Sequence, residues 1–275
     1  MRNPNPVSKK TGKGRCMEIA PGVYCMEAGK GISRSNVYFV RSGSSWVLID
    51  VASANCGRLI RKAAESLFGT NTRPASILLT HNHPDHAGSA LELARVWCCP
   101  VYMHPDELPL AVIRELSTIE KYANPMDRWI ILPILRLMPR RRVDALLSKD
   151  SLKEVAQAFD PGATVPGLPD WDCIPTPGHS PGHIAFFRTG DRVLITGDAL
   201  ATVDLNSLRG FLLWALRQNR QRVSAPPWYT TWNRRAAKES VAALARLEPR
   251  VLAPGHGMPI MGERTAQELH AFANR

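Results

Sequence analysis

Eight histidines occur in the 275 residues, and six of them fall in three short loops. Three lie in Thr80-His81-Asn82-His83-Pro84-Asp85-His86 and two in Thr176-Pro177-Gly178-His179-Ser180-Pro181-Gly182-His183. One lies in Ala253-Pro254-Gly255-His256-Gly257, and only His104 and His270 stand elsewhere. Each loop follows directly on a strand-like run, so all three can converge at one edge of a sheet, where loops on a rigid scaffold often carry catalytic groups. In an extended segment the side chains at i and i+2 point the same way. His81 and His83 can therefore reach one metal ion together. The chain then bends at Pro84, and Asp85 and His86, opening the next helix, can turn toward a second ion. Imidazole and carboxylate suit borderline divalent metals, zinc first, with manganese or iron as alternatives.

Two histidines at i,i+2 alone would carry little. The full H-x-H-x-D-H string after an apolar strand is a specific signal. The competing reading is a set of surface histidines that cap strands and helices. Asp198, in Thr196-Gly197-Asp198, reads by itself as a turn residue after a strand, and Asp50 as a strand-end or helix-capping carboxylate. Two divalent ions about 3.5–4 Å apart make a hydroxide available near neutral pH and polarise the target oxygen. That chemistry favours hydrolysis at electrophilic carbon or phosphorus. No G-x-S-x-G elbow, G-x-G-x-x-G fingerprint or P-loop appears, so serine catalysis and nucleotide cofactors lack support.

The elements that must position these groups alternate between strand and helix. Gly22–Glu27, Ser35–Arg41 and Trp46–Asp50 are strand-like, rich in Val, Ile, Tyr and Phe. An amphipathic helix follows over Cys56–Phe68, then a buried strand at Ala75–Thr80, a helix at Gly88–Trp97 and a strand at Val101–His104. Prolines break that rhythm over residues 105–160, which read as a helical insertion with pieces at Leu108–Glu120, Trp129–Met138, Val143–Leu147 and Leu152–Phe159. Strands return at Trp171–Thr176, Ile184–Arg188 and Arg192–Thr196. A mixed segment, Leu205–Trp232, precedes a helix at Arg234–Leu247 and a last strand at Val251–Ala253. The pattern predicts an α/β fold with helices layered over sheet.

From about Cys16 onward the chain resembles the metallo-β-lactamase-fold hydrolase superfamily. Five markers carry the resemblance, in order: Leu48-Ile49-Asp50, Thr80 to His86, Thr176-Pro177-Gly178-His179, Thr196-Gly197-Asp198 and Pro254-Gly255-His256-Gly257. It implies a four-layer αββα sandwich of two mixed sheets, here with the helical insertion at about 105–160, and a site for two metal ions. By position, His81, His83 and His179 would hold one ion, and Asp85, His86 and His256 the other. Asp198 would bridge both. Asp50 would lie behind the ligands and orient one of them or fix its loop, and His183 would be a supporting or structural residue. Asp85 and Asp198 are then the candidate catalytic carboxylates.

The zinc β-lactamases usually lack an aspartate at the bridging position, so Asp198 points away from antibiotic hydrolysis. The set resembles more closely the glyoxalase II and acyl-homoserine lactonase branches. The leading expectation is a dinuclear metal-dependent hydrolase that cleaves an ester, thioester or lactone of a small molecule by metal-bound hydroxide. The alternatives are a nuclease or phosphodiesterase of the same fold, a mononuclear iron enzyme like the persulfide dioxygenases, and a non-catalytic binding module.

The charge is +11, from 35 basic and 24 acidic residues. Arg2, Lys9, Lys10, Lys13 and Arg15 supply five of these charges in a stretch rich in Pro and Gly, read as a flexible basic tail over residues 1–15. Further arginines cluster at Arg128–Arg142 and Arg209–Arg235, either as solvated helix faces or as a surface for acidic partners; nucleic acid is the less favoured of these. None of the six cysteines forms a C-x-x-C pair, and no secretory leader is evident, so reduced thiols and a cytoplasmic location are expected. No apolar run reaches the length of a bilayer span. The apolar pieces around Trp129 and Phe211–Trp228 are expected to act as a lid over the metals, with Trp129, Phe211 and Trp214 walling a substrate pocket. The alternatives are added core, a homodimer contact or a membrane-surface contact.

Overall fold

The computed structural model describes residues 16–113, 115–148, 151–218 and 221–275, and the basic tail expected over residues 1–15 lies outside them. The strands in chain order are β1 (Cys16–Ala20), β2 (Val23–Ala28), β3 (Ser35–Ser42), β4 (Ser45–Ile49), β5 (Ile77–Leu78), β6 (Val101–Met103), β7 (Ala156–Ala158), β8 (Trp171–Pro175), β9 (Ile184–Arg188), β10 (Val193–Ala201), β11 (Val251–His256) and β12 (Ile260–Met261). The helices are α1 (Gly57–Phe68), α2 (Pro84–Ala87), α3 (Ala90–Trp97), α4 (Leu108–Val112), α5 (Leu116–Lys121), α6 (Leu132–Leu137), α7 (Arg140–Ser148), α8 (Leu208–Ala215), α9 (Arg234–Ala245) and α10 (Thr265–Ala273).

Strands β1 to β7 form one sheet in chain order, antiparallel through β4 and parallel from β4 to β7. The second sheet runs β12-β11-β10-β9-β8, with a parallel pair at β10–β11. The period-2 alternation of strands sorts the apolar side chains into layers. Val37, Phe39, Leu48, Ile77 and Leu79 face α1 and α3, whereas Tyr38, Val40, Val47, Ile49 and Leu78 face the second sheet. From that sheet Ile184, Phe186, Val193, Ile195 and Ala253 point inward, and Ala185, Phe187, Leu194 and Leu252 pack against α9 and α10. The result is the four-layer αββα sandwich, with the helical insertion α4–α7 between β6 and β7. Helix α9 shows the local logic: Asn233 accepts from the Arg235 and Ala236 N–H groups to cap it, and Ala237, Val241 and Leu244 form its buried face.

Several elements differ from the sequence expectation. Leu152–Phe159, read as helical, turns at Lys153–Val155 and then forms β7, the edge strand beside β6. The edge of the first sheet needs a partner there, and Val155 already supplies a carbonyl to the Val101 N–H at 3.0 Å. Sheet pairing overrode an equally good helical spacing. The expected last strand runs on to His256 and is followed by β12, and β1 precedes the first expected strand. Leu108–Glu120 splits into α4 and α5. The ladder within Ala75–Thr80 is only Ile77–Leu78.

Phe186 is fully buried between the sheets. Phe186→Ala should cost about 3–5 kcal/mol of unfolding free energy, measured by chemical denaturation. A loss under about 1 kcal/mol would mean that the inter-sheet layer is not the main core.

Candidate metal centre

The three histidine loops meet at the C-terminal ends of β5, β8, β10 and β11. Ligand atoms of His81, His83 and His179 lie within 4.8 Å of one another, and so do those of His81, His86 and Asp198, and of Asp85, His86 and His256. His179 Nε2 stands 2.9 Å from His83 Nδ1. Asp198 sits between the groups: one carboxylate oxygen is 3.3 Å from His86 Nε2, and the other is 3.4 Å from His179 Nε2 and 3.3 Å from His256 Nε2. Asp85 faces His256 Nε2 at 3.2 Å and is the more open carboxylate, its side chain 27% exposed against 6% for Asp198. Asp198 is not a turn residue. It lies inside β10, where the pairing with β11 shifts register between Gly197 and Ala201. A Cβ on Gly197 would meet Thr80 Oγ1 at 2.6 Å, and Gly197 carries a φ of +48° that side chains avoid. Gly255 clears the other side, since a Cβ there would stand 2.1 Å from Asp198 Oδ1.

Most of these imidazoles are anchored through the nitrogen that faces away from the cluster. The Asp50 carboxylate accepts from the Thr80 N–H at 2.9 Å and the Thr80 hydroxyl at 2.9 Å, and holds His86 Nδ1 at 2.8 Å. With its hydroxyl proton given to Asp50, Thr80 accepts from His81 Nδ1–H at 3.0 Å. One buried carboxylate thus sets the tautomers of two histidines and turns their Nε2 atoms inward. The Arg34 carbonyl accepts from His256 Nδ1 at 2.7 Å, and Thr231 Oγ1 stands 3.4 Å from His179 Nδ1. His183 supports rather than joins the cluster. Its Nδ1 bonds Thr176 Oγ1 at 2.7 Å, and its Nε2 accepts the Asp198 N–H at 3.0 Å.

His81 Nε2, His86 Nε2 and Asp198 Oδ1 are fully buried and have no hydrogen-bond partner. Buried polar atoms are rarely left so. Inward lone pairs on imidazoles beside carboxylates are what a divalent cation requires, so this donor set fits metal ions. Electrostatics divide the cluster in two. Burial, and then the neighbouring imidazoles, push His81 and His179 well below the usual histidine range, and burial takes His183 to about 3. Burial also opposes charge on His256, but Asp198 and Asp85 outweigh it and lift the group to about 10. His86 rises in the same way beside Asp198, Asp50 and Asp85.

Several residues at the site carried no sequence signal. Glu107, 1% exposed, accepts from the Asn82 N–H at 2.8 Å, the Ser180 hydroxyl at 2.6 Å and the Gly182 N–H at 2.9 Å, tying the first histidine loop to the second. Tyr38 Oη and Asn36 Nδ2 donate to the Pro254 carbonyl at 2.6 and 2.8 Å and hold the last loop against the first sheet. The half-buried Tyr229 phenol is kept protonated by burial and by the negative charge of Asp85. Of the expected pocket residues, Trp214 is buried with its ring 6.4 Å from that of His256, and the Arg34 guanidinium lies 4.0 Å over it. Phe211 is half-buried on the same helix, and Trp129 is 81% exposed. His104 and His270 stand outside the cluster, as expected.

Comparison with known proteins identifies the family. Residues 31–256 match the model of the metallo-beta-lactamase superfamily. The chain is 35% identical over 272 residues to Probable metallo-hydrolase YflN of Bacillus subtilis (strain 168), covering 98% of this chain and 95% of that one. The chain therefore belongs to the metallo-β-lactamase superfamily, and by family it is a metallo-hydrolase. Among solved structures, the metallo-beta-lactamase family protein TTHA1429 of Thermus thermophilus superposes with a TM-score of 0.65 at 20% identity, over 94% of this chain and 80% of that one. TTHA1623, solved in a di-iron-bound form, superposes with a TM-score of 0.53 at 26% identity, over 86% of this chain and 93% of that one.

Glu107→Ala would leave two buried donors and one part-buried donor without an acceptor. The expected loss of unfolding free energy is at least about 2 kcal/mol, read by chemical denaturation. An unchanged stability would show that the two loops are held together by other means.

Proposed function

We propose that the chain is a dinuclear metal-dependent hydrolase of an ester, thioester or lactone. The observation that carries this reading is Asp198, whose two carboxylate oxygens face both histidine groups at 3.3–3.4 Å. His81, His83 and His179 would hold one ion, and Asp85, His86 and His256 the other, with Asp198 touching both. The di-iron form of a neighbour supports the two-ion count. Zinc, manganese and iron all suit this ligand set. Bound ions of this kind acidify water and polarise the oxygen of the bond to be cleaved.

The chain's own residues divide the remaining work. Asp50 keeps His81 and His86 in the tautomers that present Nε2 inward. Asp198 is sealed from solvent and positions the reacting groups between the two halves. Asp85 is the carboxylate open to the cleft and accepts the proton released as water attacks. Trp214, buried against His256, backs that histidine with apolar surface. Asp198 argues against lactam cleavage as the main activity.

Asp198→Asn keeps the shape and removes the charge. With the fully metallated protein, turnover on the best substrate of an ester, thioester, lactone and phosphodiester panel should fall at least about 100-fold, equivalent to roughly 2.7 kcal/mol of transition-state stabilisation. Turnover within about threefold of wild type would contradict the bridging role. Preference for the phosphodiester would replace the acyl reading.

Proton release offers a second test. His256, lifted to about 10, is protonated at neutral pH until a cation displaces its proton. Zinc added at pH 7 to chelator-stripped protein should release at least about one proton per chain, and apparent affinity should fall as pH is lowered. Uptake without proton release would mean that His256 is not a ligand.

A further inference from the structure

The helical insertion exposes more apolar surface than its own packing uses. The five-residue turn Asp127–Ile131 runs straight into α6, so residues 127–137 make one continuous helix. Leu132 and Leu135 face inward, the latter packing with Val143 and Leu147 of α7. On the opposite side Trp129 is 81% exposed, Ile130 53%, Ile134 53% and Leu137 88%. These positions recur at helical spacing, so they form one ridge rather than scattered exceptions. A solvent-facing ridge of Trp, Ile and Leu marks a contact surface.

The charges beside the ridge say what it contacts. Arg140, Arg141 and Arg142 are all exposed at the first turn of α7, a turn that holds no acidic residue. Cations at a helix N-terminus oppose the helix dipole, so this placement is favourable only opposite negative charge. A two-fold contact with a second copy would bring two copies of this arginine run into one interface and so concentrate positive charge there. An anionic surface removes both conflicts. No helix among the described residues is long and apolar enough to cross a membrane, so the contact is peripheral.

We propose that the helix at residues 127–137, with Arg140–Arg142, docks the protein on an anionic lipid surface. Tryptophan at the edge of an apolar ridge flanked by arginines is the chemistry that settles in the headgroup region. The surface contact stands on the ridge and its charges alone, and its test is independent of which bond the metal site cleaves.

The test is co-sedimentation of the full chain with phosphatidylcholine vesicles, with and without phosphatidylglycerol. Binding should require phosphatidylglycerol and weaken as salt screens the arginines. The exposed pair Trp129→Asp plus Leu137→Asp should lower vesicle affinity at least about tenfold, with metal content and thermal melting unchanged. Brominated lipid should quench tryptophan fluorescence of the wild type, and Trp129→Phe should bind while losing most of that quenching. Absence of binding to phosphatidylglycerol vesicles would overturn the proposal. So would equal binding by the double variant, which would assign the contact to the basic residues 1–15. A dimer that the double variant dissociates, without vesicle binding by either protein, would give the ridge to a second copy instead.

Discussion

The structure is organised around a largely buried concentration of charge. Asp50 and Asp198 are buried, Asp85 is mostly so, and six imidazoles pack within a few ångströms of them. Ionised carboxylates out of water are costly unless paired and hydrogen-bonded. Asp50 meets that demand inside the protein, with the Thr80 amide and hydroxyl and His86 as partners. Asp198 and Asp85 do not, because the imidazole nitrogens facing them belong to the groups that would hold a cation. The fold therefore builds one self-satisfied carboxylate behind a set of groups whose needs a metal ion would meet.

That demand explains features far from the reacting atoms. Three loops from two sheets must be held in fixed relation to one another. Glu107 locks the first loop to the second, Tyr38 and Asn36 lock the last loop to the first sheet, and His183 fixes the backbone of Asp198. Each is a buried or part-buried hydrogen bond between segments separated in sequence. Gly197 and Gly255 do the complementary work of leaving room, so that Asp198 can lie between the two histidine groups.

Much of this was legible in the sequence. The H-x-H-x-D-H string and the later single histidines carry a spacing with direct geometric meaning, and continuous apolar runs such as Val37–Val40 and Ile184–Phe187 mark strands covered on both faces. The supporting shell was not legible. Glu107 looks like any helix-start carboxylate, and Arg34 contributes through its carbonyl, which every residue has. The edge strand β7 read as helix because its spacing allowed both and only a neighbouring strand decides between them. Exposure was equally hidden: Trp129 and Trp214 sit in similar apolar runs, yet one lies in solvent and the other against His256.

The most direct test of the account is to locate the ions. Crystals of the metal-loaded protein, measured at the absorption edge of the bound metal, should show two anomalous peaks. One should be ligated by His81, His83 and His179, the other by Asp85, His86 and His256, with Asp198 contacting both. A single peak in fully loaded protein, or two peaks with Asp198 touching neither or only one, would contradict it.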